Sequence, residues 1–181
     1  MTRVVVYTEL GGPEVLHLIE VADPVAGPGQ VVVQLTAVGV NPVDGKQRSG
    51  GRVLPPIVEP RRIGYDGAGV VSEVGPGVEH LQIGERVVVT ETPGAYAERL
   101  AVDAHNAVPI PREVSDEVAA AIGTPASTAY QALRSLRVRD GDTLLIHAGS
   151  GAVGQAAIQF AVDRGATVIA TSSAAHHDRM R

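Results

Sequence analysis

The sequence predicts two folds in series, an antiparallel β-barrel or sandwich followed by the start of a parallel α/β unit. Three observations predict it. Through residue 101, short β-type runs alternate with glycine and proline punctuation. From residue 143 to 173, TLLIHAGSGAVGQAAIQFAVDRGATVIATSS reads as strand, glycine turn, helix, strand. At 181 residues the chain holds one domain, or one and a part.

The β-type runs of the first part are residues 4–7, 15–20, 30–40, 67–74, 85–89 and 95–101. Between them stand Gly11-Gly12-Pro13, Asp23-Pro24, Gly27-Pro28-Gly29, Gly75-Pro76-Gly77 and Thr92-Pro93-Gly94. Strands at this spacing, bounded by such turns, indicate an antiparallel barrel or sandwich. Ser115 ahead of residues 116–121 reads as a capped short helix, and residues 126–136 as a second helix leading into the α/β part. The domain boundary is expected between Gly123 and Ser127.

The second part opens with an apolar run at 143–148. GSGAVG follows, with Gly149, Ser150, Gly151, Ala152, Val153 and Gly154 in the spacing G-x-G-x-x-G. Val153, Ala156, Ala157, Phe160 and Ala161 recur at helical spacing, Gly165 supplies a stop, and 166–170 is a second apolar run. Glycines without Cβ let the chain turn tightly and approach a pyrophosphate, whose charge suits the positive end of the helix starting near Ala152. The strand before and the helix and strand after favour dinucleotide binding. The same small residues would also serve a helix–strand contact with no ligand.

The end of the second strand narrows the cofactor. An NAD site usually carries an acidic residue there, about 20 residues beyond the motif, to hold the ribose 2′-hydroxyl. Here stand Thr171, Ser172 and Ser173, with no carboxylate until Asp178. Hydroxyls followed by His176, His177 and Arg179 suit a 2′-phosphate, so NADPH is expected over NADH. The missing acid also argues against S-adenosylmethionine. Each basic residue taken singly would equally suit an exposed helix start.

Composition excludes several classes. Net charge is −5 and no basic run appears, which gives no electrostatic footprint for nucleic acid or an anionic membrane. No apolar stretch is long enough to span a bilayer, and the N-terminus reads as a first strand and not as a signal peptide. There is no cysteine, which rules out disulfides and thiolate zinc sites and fits a reducing, cytoplasmic setting.

Four motifs in order carry a resemblance. They are Gly39-Val40-Asn41-Pro42-Val43-Asp44, then GYDGAGVV at 64–71, then Thr128-Ala129-Tyr130-Gln131-Ala132-Leu133, then the glycine motif. In this order the chain resembles the medium-chain dehydrogenase/reductase superfamily, and within it the zinc-independent quinone oxidoreductase group with its alkenal and enone reductases. The resemblance implies a GroES-like β-barrel catalytic domain of the alcohol-dehydrogenase type over residues 1–125. A Rossmann, parallel α/β NADP-binding domain would begin at 126 and run incomplete to 181, with NADPH in the cleft between the two. It further implies a small-molecule substrate and a homodimeric full-length parent.

Zinc-dependent members of that superfamily place a cysteine where this chain has Asn41 and a histidine where it has Tyr65. Catalytic zinc needs three protein ligands, and neither of these is present, so no metal is expected. Of the six histidines, His17, His80, His105 and His147 are scattered, and His176 and His177 are adjacent.

Without a metal, the reaction implied is hydride transfer to a quinone or to the β-carbon of an activated alkene. It needs the acceptor stacked on the nicotinamide and a hydrogen bond as charge grows on oxygen. Carried over by motif, Asn41, Asp44 and Lys46 lie at the catalytic cleft. Lys46 would contact the cofactor ribose or polarise a carbonyl, or else is a solvated loop lysine. Thr128 matches a threonine near the nicotinamide, with Tyr130 packing beneath it. Tyr65 and Asp66 would hold their loop, with Gly64, Gly67 and Gly69 at turn and barrel positions. A doubly wound domain needs about five or six strands and this chain offers two. The expectation is therefore an N-terminal portion of a reductase, inactive alone. An enoyl-thioester reductase on the same scaffold, or a non-catalytic NADPH-binding protein, are the alternatives.

Overall fold

The structure, a computed structural model, describes residues 1–51 and 55–180, with side chains through Asp178. The chain divides into two compact units, Met1–Gly123 and Thr124–Arg181.

In the first unit β1 (Thr2–Tyr7) lies between β2 (His17–Val21) and β4 (Arg61–Arg62), antiparallel to both. A five-stranded antiparallel sheet is built from β3 (Gln30–Gly39), β5 (Asp66–Val74), β6 (Arg86–Val89), β7 (Arg99–Asp103) and β8 (Ala107–Pro109). Its order is β7-β3-β5-β6-β8. Val31 and Val33, Val87 and Val89 alternate at period two on the inner face, and with Val71 and Val102 they are almost wholly buried. Burying each such side chain contributes about 1.5–3 kcal/mol. The β3–β5 register shifts between Val32 and Val33 and between Leu35 and Ala37, irregularities that add twist where the sheet must curl. That register ends with Gly39 opposite Asp66, which delivers Asn41, two residues on, to the Asp66 carboxylate.

Two helices depart from the sequence expectation. Residues 42–48, which the sequence reading gave no helix, form α1 (Pro42–Arg48), with proline at its first position and Asn41 as cap. The two helices expected around Gly123 and Pro125 are one, α2 (Asp116–Leu136). Gly123 is a spacer in it. A Cβ there would lie 2.8 Å from Asp66 Oδ1 and 3.0 Å from Thr90 Oγ1, so the helix passes this polar pair only as glycine. Pro125 lacks the N–H that would reach Ala121, and the helix continues through that missing bond.

The second unit holds β9 (Thr143–Ile146) and β10 (Thr167–Ala170), parallel and in register from Thr143↔Thr167 to Ile146↔Ala170. The crossover helix α3 (Ala152–Asp163) packs Ala161 with Leu133 and Ala166. Tyr130 meets Phe160 edge-on at 6.3 Å, and the Arg164 guanidinium sits 5.2 Å above its ring. A 3-10 turn (Ala174–His176) and a last short helix, α4 (His177–Met180), follow. Among the described residues no helix is long and apolar enough to cross a membrane.

Candidate active site and nucleotide loop

In the first unit the start of α1 is tied into a buried polar network. The Asn41 N–H donates to Asp44 Oδ2 at 2.8 Å, and the Asn41 amide nitrogen donates to Asp66 Oδ2 at 2.8 Å. Thr90 Oγ1 donates to the other Asp66 oxygen at 2.9 Å, and the Tyr96 hydroxyl lies 3.0 Å from Asp44 Oδ2. Asp66 is 0% exposed and Asp44 3%. Asp44 Oδ1 is buried and has no hydrogen-bond partner among the described residues. Burial pushes the Asp44 carboxyl above its ordinary range; the Asn41 N–H and the Tyr96 hydroxyl pull the other way, and nearby Asp66 pushes further up. Burial and then the neighbouring Asp44 raise the Tyr96 phenol as well, so it stays protonated.

Beside this network opens a cavity of about 480 Å³. Pro13, Leu16, Val40 and Ile63 give it apolar walls, and Asp44, Arg48 and Tyr96 also line it. Tyr96 owes its seat to Gly64, whose φ of +94° and missing Cβ leave room for the aromatic ring.

Of the three residues expected at the cleft, the structure brings Asn41 and Asp44 together. Lys46 is two positions from Asp44 on a seven-residue helix and is exposed. Tyr65 accepts a hydrogen bond from Gln47 Nε2. The two positions where zinc enzymes of the resembled superfamily carry ligands thus hold an amide engaged with Asp66 and a phenol engaged with Gln47, neither a usual zinc donor.

In the second unit the glycine loop is pinned at both ends. The Gly149 N–H donates to Thr171 O at 2.8 Å, and the Gly151 N–H to Ala148 O at 3.0 Å. Gln155 Nε2 donates to Ser150 O at 2.8 Å. Ala152, Val153 and Gly154 form the first turn of α3, where amides lack intrahelical acceptors and the helix end is positive. A Cβ on Gly151 would meet only Ala148 O, at 3.4 Å. A Cβ on Gly154 would strike Ala148 O and come 2.7 Å from Gly149 Cα. Gly154 therefore serves packing, whereas at Gly151 the protein itself would accept a methyl group. Bare backbone facing open space at a helix N-terminus suits a pyrophosphate.

The residues expected at a 2′-phosphate gather at the end of β10. His176 Nδ1 lies 3.1 Å from Ser173 Oγ and 3.4 Å from Ser150 Oγ, so it bridges the glycine loop and the strand end. Thr171 Oγ1 is 3.1 Å from His147 Nδ1, and His177 Nε2 is 3.3 Å from Ser172 O. The Arg179 side chain lies outside the described residues. Thr128 is exposed on α2.

Sequence reasoning missed Tyr96, Thr90 and Gln47 as partners of the first-unit network. The helix itself had a signal, since Asn41-Pro42-x-Asp44 is a cap, an N1 proline and an acidic N3 residue. Tyr96 had none, because its partner Asp44 is 52 residues away.

Residues 27–112 match the alcohol dehydrogenase GroES-like domain family. The quinone oxidoreductase of Lama guanicoe is 41% identical over 164 residues, 89% of this chain and 49% of that one. The human quinone oxidoreductase is 38% identical over 95% of this chain and 53% of its own. Among solved structures, the Escherichia coli quinone oxidoreductase complexed with NADPH superposes with a TM-score of 0.82 at 34% identity, over 97% of this chain and 54% of that one. The chain spans about half the length of the curated relatives it matches.

Proposed function

We propose that this chain, which belongs to the quinone oxidoreductase group of the medium-chain dehydrogenase/reductase superfamily, serves a zinc-independent reductase that uses NADPH to reduce a quinone or an α,β-unsaturated carbonyl. NADPH, when bound, supplies the hydride. Gly149, Ser150, Gly151, Ala152, Val153 and Gly154 would hold its pyrophosphate on the backbone and the α3 dipole. Thr171, Ser172, Ser173 and His176 would hold the 2′-phosphate. Asn41 and Asp44 form the polar wall of the first-unit cavity, Lys46 is exposed beside it, and Thr128 is kept for the nicotinamide side of the cofactor. The observation that carries this reading is Gly151, whose absent side chain leaves bare backbone open at a helix start, while Gly154 is closed against the loop backbone at Ala148 and Gly149.

The test is cofactor choice. NADPH should bind this chain at least about tenfold more tightly than NADH, the difference a charge-assisted contact to the 2′-phosphate makes. Fluorescence titration of both cofactors measures it. Equal affinities would remove the role given to Ser173 and His176.

A further inference from the structure

We propose that Tyr96 donates its phenolic hydrogen to a carbonyl oxygen of an apolar ligand in the first-unit cavity, and that a protonated Asp44 frees it to do so by donating from Oδ2 to Tyr96 Oη. The ligand class, a ketone, quinone or enone, rests on the reading above.

Tyr96 lines the cavity together with apolar Pro13, Leu16, Val40 and Ile63 and with polar Asn41, Asp44 and Arg48. With Asp44 ionised, its hydrogen is committed to the carboxylate and the phenol offers a ligand only lone pairs. With Asp44 neutral, the direction of that hydrogen bond reverses and the phenol becomes a donor. Geometry favours the neutral acid. Asp44 is 3% exposed, and its Oδ1 has no donor among the described residues, a costly state for a carboxylate oxygen and a tolerable one for a carbonyl oxygen.

The charges around Asp44 fit the same state. Asp66, on β5, raises its proton affinity further. Arg48, on the same helix, gives its Nη1 to the Gly11 carbonyl at 2.7 Å, and Lys46 is exposed. Arg62, on β4, donates to the Gly94 carbonyl at 3.0 Å. Tyr65 is engaged with Gln47. Among the described residues no cation forms an ion pair with Asp44 to hold it ionised.

The test uses the whole chain without cofactor and two probes of one shape, cyclohexanone and methylenecyclohexane, followed by ligand-observed NMR. The ketone should bind about tenfold better, one net hydrogen bond, and the preference should fade as pH rises and Asp44 ionises. Tyr96→Phe should bind both probes alike, and the infrared carbonyl band of the bound ketone, lowered in the native chain, should lose that shift. No preference in the native chain, a preference surviving Tyr96→Phe, or one unchanged as pH rises would each overturn the proposal. If Tyr96→Phe does not fold, the pH profile of the native preference and the native infrared band decide. NADPH titration reads the second unit separately, so failure of the cofactor reading leaves this result standing, and the reverse.

Discussion

Gly151 and Gly154 lie within one turn of chain, yet a methyl group meets different things at each. At Gly151 it meets one carbonyl oxygen at ordinary contact distance, and φ of −76° suits any residue. At Gly154 it meets backbone that cannot step aside. Gly151→Ala should therefore change stability by no more than about 1 kcal/mol, the scale of an N-cap substitution. It should weaken NADPH binding by about tenfold or more, the cofactor backbone contact being blocked. Gly154→Ala should lower stability by about 3 kcal/mol, the upper range for overpacking. Thermal unfolding and cofactor titration of both variants separate the two. Loss of stability in Gly151→Ala with binding intact would make that glycine a packing residue. The motif was legible because its logic is local, six consecutive residues between a strand and a helix. The Asp44–Tyr96 and Asn41–Asp66 pairs were not, because sheet register and a folded-back segment make them.

Elements were legible where punctuation marks them and illegible where a distant contact overrides it. β1, β2, β3, β5, β6 and β7 overlap the runs between the glycine and proline turns, whereas the short β4 and β8 lie outside those runs. α2 does not follow the punctuation, because Gly123 answers to Asp66 and Thr90 and not to its own helix. The start of α2 depends on one carboxylate. Asp116 Oδ1 accepts from Arg86 Nη2 at 2.5 Å and Nε at 3.1 Å, and Oδ2 accepts from Thr36 Oγ1 at 2.6 Å. The same Arg86 nitrogen donates to Val114 O at 2.7 Å, so sheet and helix start are clasped together. The Thr36 hydroxyl first, and then Arg86, hold the Asp116 carboxyl below its usual range. A depressed carboxylate stabilises the fold above its unfolded value and loses that contribution as pH falls through its folded value. Asp116→Asn should thus cost about 1–2 kcal/mol at neutral pH, discounted for partial exposure, and flatten the acid limb of the stability curve. Denaturant unfolding across pH measures both effects, and an unchanged acid limb would show that the clasp contributes little.

At the scale of the molecule the two units differ in how much apolar surface each hides. The first buries a contiguous set of valines between its strands. The second buries Leu133 and the alanines Ala129, Ala157, Ala161 and Ala166, while Leu145 and Ile169 on its two strands remain 55% and 56% exposed. A two-stranded parallel sheet with uncovered apolar positions lacks the burial that parallel sheets ordinarily have, and its relatives are about twice as long. Local stability follows burial, so opening should begin in the second unit. In native-state hydrogen exchange, amides of β9, β10 and α3 should exchange well ahead of those of β3 and β5. NADPH held on the folded loop as proposed should, at ~100 times its Kd, slow the second unit's exchange by about two orders of magnitude and leave the first unit's unchanged. Equal protection of the two units without cofactor would mean that burial misjudges the second. Slowing spread evenly over both would place the nucleotide's effect beyond the glycine loop that the sequence marks.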